Sequence, residues 1–380
     1  MVRSISVLAI SLCLLAFCTV FAQKDQAIAR ADTAFSSYIK KFWRDGKMFD
    51  KYPNTNVTAQ YWTSAQGFDT ILDAAELARL RKKDMKYFYD LIEGFYNFRD
   101  KKGWVVNFMD DMMWMGLALQ RAYQLTKNKK YLDRSISLYK IIHDQWDETC
   151  CCFGKPKCKN GGIYWDKNKT QKATASNAGP VIMSARLYSI TKDTTYRDFA
   201  IKVFNYWWDN MVDQKTFQVC DNISTKNGEK RCWKFTYNEG LMIGAGYELE
   251  RVTGNKSFLD KAYLVAGFLS KNEVTSNNVL TDGSASGDGE EFKAVAFRYL
   301  SLLYNKDRSR SDLGRILDAS AESIWSKARN EKDNTFSSNW VGPAPKSGAS
   351  IDQATMNAAT MCLNIHALSL LRSNSEFDDE

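Results

Sequence analysis

Apolar residues recur along most of the chain at intervals of three and four, the spacing that places them on one face of an α-helix. Stripes of this kind run over residues 71–80, 112–125, 135–146, 180–190, 196–211, 241–252, 258–269, 292–304 and 313–325. No set of alternating segments is long enough to build a sheet. Proline, which interrupts helices, occurs only 5 times. The pattern predicts an all-α protein.

A slower period is laid over the helical one. Thr126-Lys-Asn128-Lys-Lys-Tyr131-Leu-Asp133 returns as Thr191-Lys-Asp193-Thr-Thr-Tyr196-Arg-Asp198, and again as Thr253-Gly-Asn255-Lys-Ser-Phe258-Leu-Asp260. The copies start 65 and 62 residues apart, and a fainter one ends in Asp84-Met-Lys-Tyr87. Each lies between two apolar stripes. Thr and Asn or Asp side chains bond to nearby backbone groups, so the echo predicts a tight turn. The following Tyr or Phe is then placed to plug the start of the next helix. Short connections make successive helices antiparallel neighbours. At one hairpin per roughly 60 residues, the chain holds six. Six hairpins either stack as an open solenoid or close into a ring with an inner and an outer layer, whose loops gather at one end. The polar, Gly-rich stretch 275–291 is short enough for a functional loop, and no linker divides the chain.

The first 22 residues read differently. A basic Arg3, an apolar run from Val7 to Phe21 and the small Ala22 make a secretory leader, too short for a membrane span. The expected organisation is a leader over 1–22 and a single catalytic domain over 23–380. The acidic end Glu376-Phe377-Asp378-Asp379-Glu380 lacks the hydrophobic tail of a lipid-anchor signal, so no membrane anchor is expected after leader removal. Sequons at Asn56, Asn168, Asn222 and Asn255 fit a secreted, extracellular glycoprotein. Without Cys13 and Cys18 of the leader, seven cysteines remain: Cys150, Cys151, Cys152, Cys158, Cys220, Cys232 and Cys362. An odd number leaves one thiol unpaired within the chain. Cys220 and Cys232 flank an Asn227-Gly228 turn and are the expected disulfide. With only 2 histidines and no ligand spacing, no metal is expected. A net charge of +8, scattered and without aromatic interleaving, speaks against nucleic acid. The 11 tryptophans suit sugar rings, although large cores use them too.

Candidate chemistry centres on Asp110 and Asp111, in Asn107-Phe-Met-Asp110-Asp111-Met-Met-Trp114, at the start of a predicted helix. Two acids there also cap free N–H groups and suit the positive end of the helix dipole. Yet consecutive Cα atoms lie about 3.8 Å apart, so the side chains can splay to roughly 5–5.5 Å. That is the separation of nucleophile and acid/base in a retaining glycosidase. Like charges so close also drive their pKa values apart, keeping one group protonated as an acid.

At this point the chain resembles glycoside hydrolase family 76, the α-1,6-mannanases, over nearly its whole length. The likeness rests on ordered motifs: Tyr61-Trp62-Thr-Ser-Ala-Gln66-Gly-Phe-Asp69, the Asp110–Asp111 segment, Gly161-Gly162-Ile163-Tyr164-Trp165 and Lys172-Ala-Thr-Ala-Ser-Asn177. Phe235-Thr-Tyr237-Asn238-Glu239-Gly240, Asp288-Gly-Glu-Glu-Phe292-Lys293 and Trp340-Val-Gly342 with Asp352-Gln353-Ala-Thr355 complete the series. The resemblance implies an (α/α)6 barrel of six helical hairpins. It implies Asp110 as nucleophile and Asp111 as acid/base of retaining cleavage of α-1,6-mannan, with no cofactor and with a monomer expected. Gln66 enters the substrate-binding set with its motif. Trp62, Trp114 and Trp165 line the sugar cleft or pack the core. Asn177, Tyr237 and Asn238 meet sugar hydroxyls. Lys293 reaches a hydroxyl or lies on a solvated face, and Asp352 and Gln353 contact substrate or cap a helix. Glu239 stands where the family commonly has Gln and would add negative charge to the cleft, as would Asp288-Gly-Glu-Glu. The Cys150–Cys152 run matches nothing in the family. Two other functions stay open: a cell-wall transglycosidase working through the same glycosyl-enzyme intermediate, and a non-catalytic glycan-binding protein.

Overall fold

The computed structural model describes residues 2–44, 47–148, 161–282 and 287–372, with side chains from residue 22 onward. The cysteines at 150–158 lie outside the described residues. Twelve α-helices are described. In chain order they are α1 (Val2–Phe42), α2 (Tyr61–Leu80), α3 (Lys86–Lys102), α4 (Met109–Thr126), α5 (Lys129–His143) and α6 (Ala175–Thr191). There follow α7 (Thr194–Met211), α8 (Thr236–Thr253), α9 (Lys256–Asn272), α10 (Phe292–Lys306), α11 (Ser311–Ser326) and α12 (Gln353–Arg372). Between them lie short strands: β1 (Trp43–Arg44) pairs with β2 (Met48–Phe49), and β3 (Gln171–Ala173), β4 (Asn222–Ser224) and β5 (Lys230–Arg231) form one antiparallel sheet.

The even-numbered helices form an inner ring in which α2 packs on α4, α4 on α6, α6 on α8, α8 on α10, α10 on α12 and α12 on α2. The odd-numbered helices cover it from outside. The first of them, α1, packs on α12, so the two ends of the chain close the circle. The ring is an (α/α)6 barrel, which decides between closure and an open solenoid.

Layer position sets how much of each helix is buried, although stripes marked the inner α2, α4, α6, α8 and α10 as well as outer helices. The outer α5 buries Tyr131, Leu132, Ser135, Leu138, Tyr139 and Ile142, one face at helical spacing. The inner α12 buries every residue from Gln353 to Ser369. In α12 small and amide side chains fill the buried surface on every side, and no stripe marks it. Inner helices approach closely where side chains vanish: a Cβ on Gly240 of α8 would stand 2.6 Å from the Ala296 Cα of α10.

The repeated turns behave as their chemistry predicts. Thr126, Thr191 and Thr253 each donate the hydroxyl to the carbonyl four residues back. Each also accepts, at 3.2 Å, the N–H of the residue two ahead. Asn128, Asp193 and Asn255 then cap α5, α7 and α9. Between them Lys127, Lys192 and Gly254 take the left-handed backbone conformation. Tyr131 and Phe258 are buried as plugs, but Tyr87, in the faint copy, is 52% exposed. These tight turns lie at one end of the barrel. The longer connections into α2, α4, α6, α8, α10 and α12 therefore gather at the other, where six inner helix N-termini converge.

Inside the ring, the buried arginines are paired with carboxylates. Arg121 of α4 contacts Asp69 at 2.5 Å and Asp73 at 2.6 Å, both on α2. Arg298 of α10 reaches the same two carboxylates at 2.7 Å. Arg186 of α6 joins Glu248 of α8 at 2.6 Å. Low solvent access makes each partner dependent on the other. The layer ties inner helices together beneath the mouth of the barrel. The expected disulfide is present between Cys220 and Cys232, and Cys362 is a buried thiol. Asn222 is 2% exposed, and its amide donates to Asp221 at 2.6 Å, so this sequon is buried in the folded chain. Asn56, Asn168 and Asn255 are exposed.

Candidate active site

The inner N-termini frame a cleft of about 730 Å³. Asp110 and Asp111 form part of its floor, in the first turn of α4. Their place follows from the loop opposite. Met109 N–H donates to Trp165 C=O at 2.8 Å, Lys167 N–H to Asn107 C=O at 3.2 Å, and Trp165 N–H to Gln171 C=O at 2.8 Å. This stitching presses Trp165 onto the start of α4, with its ring 4.5 Å from that of Phe108. The indole Nε1 then donates to Asp110 Oδ2 at 2.8 Å. Asp110 Oδ1 accepts the Asp111 N–H at 3.0 Å. Among the described residues no donor reaches the Asp111 carboxyl.

Electrostatics separates the two groups further. Burial pushes Asp110 up to about 7, against the two donors that favour its ionised form, with the Asp288 charge adding to the rise. Burial, then the charges of Asp110 and Asp288, push Asp111 up to about 8. The pair shares protons, so these values belong to it jointly. The partner that no described protein group donates to is the better proton holder. Asp288, in the turn Gly287–Glu290, lines the cleft and accepts the Trp62 indole N–H at 2.9 Å.

Of the residues singled out in the sequence, Asp110, Asp111, Trp62, Trp114, Trp165 and Tyr237 line this cleft. The others are elsewhere. Asn177 is fully buried behind the floor, donates to Ile163 C=O and Ala173 C=O, and accepts the Ile163 N–H at 2.7 Å. It clasps the loop that carries Trp165. Asn238 is fully buried and donates to Asp221 at 3.3 Å. Gln66 lies deeper in the barrel, around a small void shared with Asp69, Arg186 and Arg298. Lys293 is 3% exposed, with its ammonium 5.0 Å from the centre of the Trp340 ring; burial lowers its pKa, and it reaches neither the cleft nor a solvated face. Asp352 accepts the Ala354 N–H as a turn cap and lies 3.9 Å from Lys51. Gln353 is fully buried and donates to the Tyr38 hydroxyl at 2.5 Å. These motifs therefore mix wall and scaffold.

Glu239 also departs from its expected place. It is fully buried, accepts the Val219 N–H at 2.9 Å and faces Glu273. Burial and Glu273 hold its carboxyl well above the usual carboxylate range, which favours the uncharged form, and it does not line the cleft. A protonated Glu has the shape and polarity of Gln, which accounts for the exchange.

Several lining residues escaped the sequence reading: Asp221, Asn222, Arg231, Trp233 and Asp288. Asp221 accepts from Tyr237 Oη at 2.5 Å and from Asn222 at 2.6 Å. Its only signal was adjacency to a bridging cysteine. Asp288 stood inside a quoted motif as surplus acid, without a role. Nothing in the order of residues announced that Trp233 would reach the cleft.

Comparison with known proteins agrees with this architecture. The profile of Glycosyl hydrolase family 76 matches residues 23–374. Mannan endo-1,6-alpha-mannosidase DCW1 of Candida glabrata is 25% identical over 213 residues, 50% of this chain and 45% of that protein. The chain thus spans about half the length of the curated relatives it matches. An inactive variant of the alpha-1,6-mannanase GH76A of Salegentibacter sp. HEL1_6, solved in complex with alpha-1,6-mannotriose, superposes with a TM-score of 0.81 at 24% identity, covering 90% of this chain and 99% of that one. Dfg5 from Chaetomium thermophilum, in complex with glucosamine, gives 0.74 at 17% identity over 93% and 92% of the two chains.

Proposed function

Because the chain belongs to glycosyl hydrolase family 76, we propose that it cleaves internal α-1,6-mannosidic bonds of mannan with retention at the anomeric carbon, outside the cell. The observation that carries the roles is the unequal hydrogen bonding of the aspartate pair. Asp110, with two donors, is the carboxylate that attacks C1 of the sugar and forms the glycosyl-enzyme ester. Asp111, without a donor and pushed up to about 8, holds the proton that passes to the departing glycosidic oxygen. Asp111, then ionised, takes a proton from water, which opens the ester and restores the starting state. No metal is required, because both charges that develop are met by carboxylates.

The surroundings fit a polysaccharide. Trp62, Trp114, Trp165, Phe235, Tyr237 and Phe292 give the cleft apolar walls that suit sugar faces. Asp221 and Asp288 supply acceptors for hydroxyls. The mannan-acting relatives support the substrate class, and the leader and the disulfide support an oxidising, extracellular setting. Among the described residues no helix is long and apolar enough to cross a membrane.

The test is incubation of the purified chain with linear α-1,6-mannan. Reducing ends should accumulate, and the first product seen by proton NMR should carry the α-anomer. First-formed β-anomer would replace retention by inversion, and absence of any cleaved or transferred product would sink the enzymatic reading.

A further inference from the structure

Among the large apolar side chains that the fold leaves exposed, Trp233 stands out by position: it is 48% exposed and lines the cleft. It follows β5 in a segment without helix or strand, where an exposed indole would ordinarily wander. Three constraints hold it. The Cys220–Cys232 disulfide fixes the residue before it. Gln218 donates to the Cys232 carbonyl at 3.1 Å, and Asp221 N–H donates to the Arg231 carbonyl at 2.7 Å. The same Asp221 receives the Tyr237 hydroxyl, so rim and floor are joined through one residue.

Trp233 also ends a continuous run of rings. Its centre lies 5.6 Å from that of Phe235, Phe235 lies 5.1 Å from Phe292, and Phe292 lies 6.1 Å from Trp62, whose indole N–H is bound by Asp288. Beside Trp233, the Arg231 guanidinium is 5.6 Å from the indole centre. It is the one cation among the cleft residues described, in a cleft that otherwise carries Asp110, Asp111, Asp221 and Asp288. An aromatic face at the rim, pinned in advance, loses little entropy on binding.

We infer that the β4–β5 hairpin and the segment after it form a covalently clipped platform for a sugar residue beyond the cleavage point, with Trp233 as stacking face and Arg231 as donor to hydroxyls. The platform makes the enzyme prefer long chains and makes that preference depend on the disulfide. The inference rests on the mannan reading above.

The experiment measures binding by calorimetry of linear α-1,6-mannooligosaccharides, from disaccharide to hexasaccharide, to the full chain carrying Asp110→Asn and Asp111→Asn. Affinity should rise with length, and Trp233→Ala should weaken the hexasaccharide by roughly fivefold while shifting the disaccharide less than about twofold. Trp233→Phe should restore most of the loss, and joint Cys220→Ala and Cys232→Ala should reproduce it. An equal loss at every length, or none at the longest, overturns the platform. If the disaccharide binds and Trp233→Ala changes nothing, the platform alone falls. If no length binds, the mannan reading falls with it.

Discussion

The Trp165 indole donates to Asp110 Oδ2 at 2.8 Å, and among the described residues nothing donates to the carboxyl of Asp111. One side chain thus makes two adjacent, chemically identical residues unequal. A hydrogen bond to a charged group contributes about 1.5–3 kcal/mol. Trp165→Phe should therefore lower kcat/KM by roughly ten- to a hundredfold. It should also raise the Asp110 pKa from about 7 and move the acid limb of the pH–rate profile upward. An unchanged acid limb would show that the indole only packs.

The two aspartates should fail in different ways. Asp110→Asn removes the group that bonds to C1, so it should be inactive on every substrate. Asp111→Asn loses proton donation to the leaving group. It should retain measurable glycosyl-enzyme formation on an aryl mannoside whose leaving group needs no proton. Burst kinetics would reveal it, and equal inactivity of both variants would remove the distinction.

Activity needs Asp110 ionised and Asp111 protonated, so the rate should peak between about 7 and about 8. The Asp288 charge raises both groups. Asp288→Asn lowers both: less pH is needed to ionise Asp110, and Asp111 loses its proton earlier. The whole bell should move to lower pH with its width largely kept. Movement of one limb only would place Asp288 beside one carboxyl rather than the pair.

Glu239 and Glu273 are buried against each other, with Glu273 pushed up to about 8 by burial and by Asp282. Their folded-state pKa values lie above the ordinary 4.5. The folded chain then binds more protons than the unfolded one. The contribution is complete below the unfolded pKa and is lost as pH rises through the folded one. Glu239→Gln removes one titrating member while keeping the Val219 contact. The variant should melt close to the parent at about pH 5 and several degrees above it at about pH 9. A constant difference across pH would mean that the pair does not titrate in the folded state.

Arg121 and Arg298 share Asp69 and Asp73. Arg121→Met leaves two buried carboxylates facing a single guanidinium and should cost about 3–5 kcal/mol in urea unfolding. A small loss would indicate that water enters the barrel at this level.

Much was written locally in the sequence. The helical period, the turn echo and its capping chemistry, the count of six hairpins and the adjacency of Asp110 and Asp111 all depend on residues within a few positions of one another. They were legible for that reason. The Cys220–Cys232 bridge closes a 12-residue interval and belongs with them. Closure of the ring was not legible, because it is made by α1 against α12, at opposite ends of the chain. Nor was the sorting of polar motif residues into wall and scaffold. Asn177 and Tyr237 are both polar residues in the first turn of an inner helix, and only the neighbouring loop decides that one is covered and the other meets the cleft. The same holds for Glu239, whose carboxyl is held up by burial and then by Glu273, 34 positions away. Proximity along the chain determines local conformation and chemistry on offer. Burial and charge state come from segments distant in sequence, and only folding brings those together.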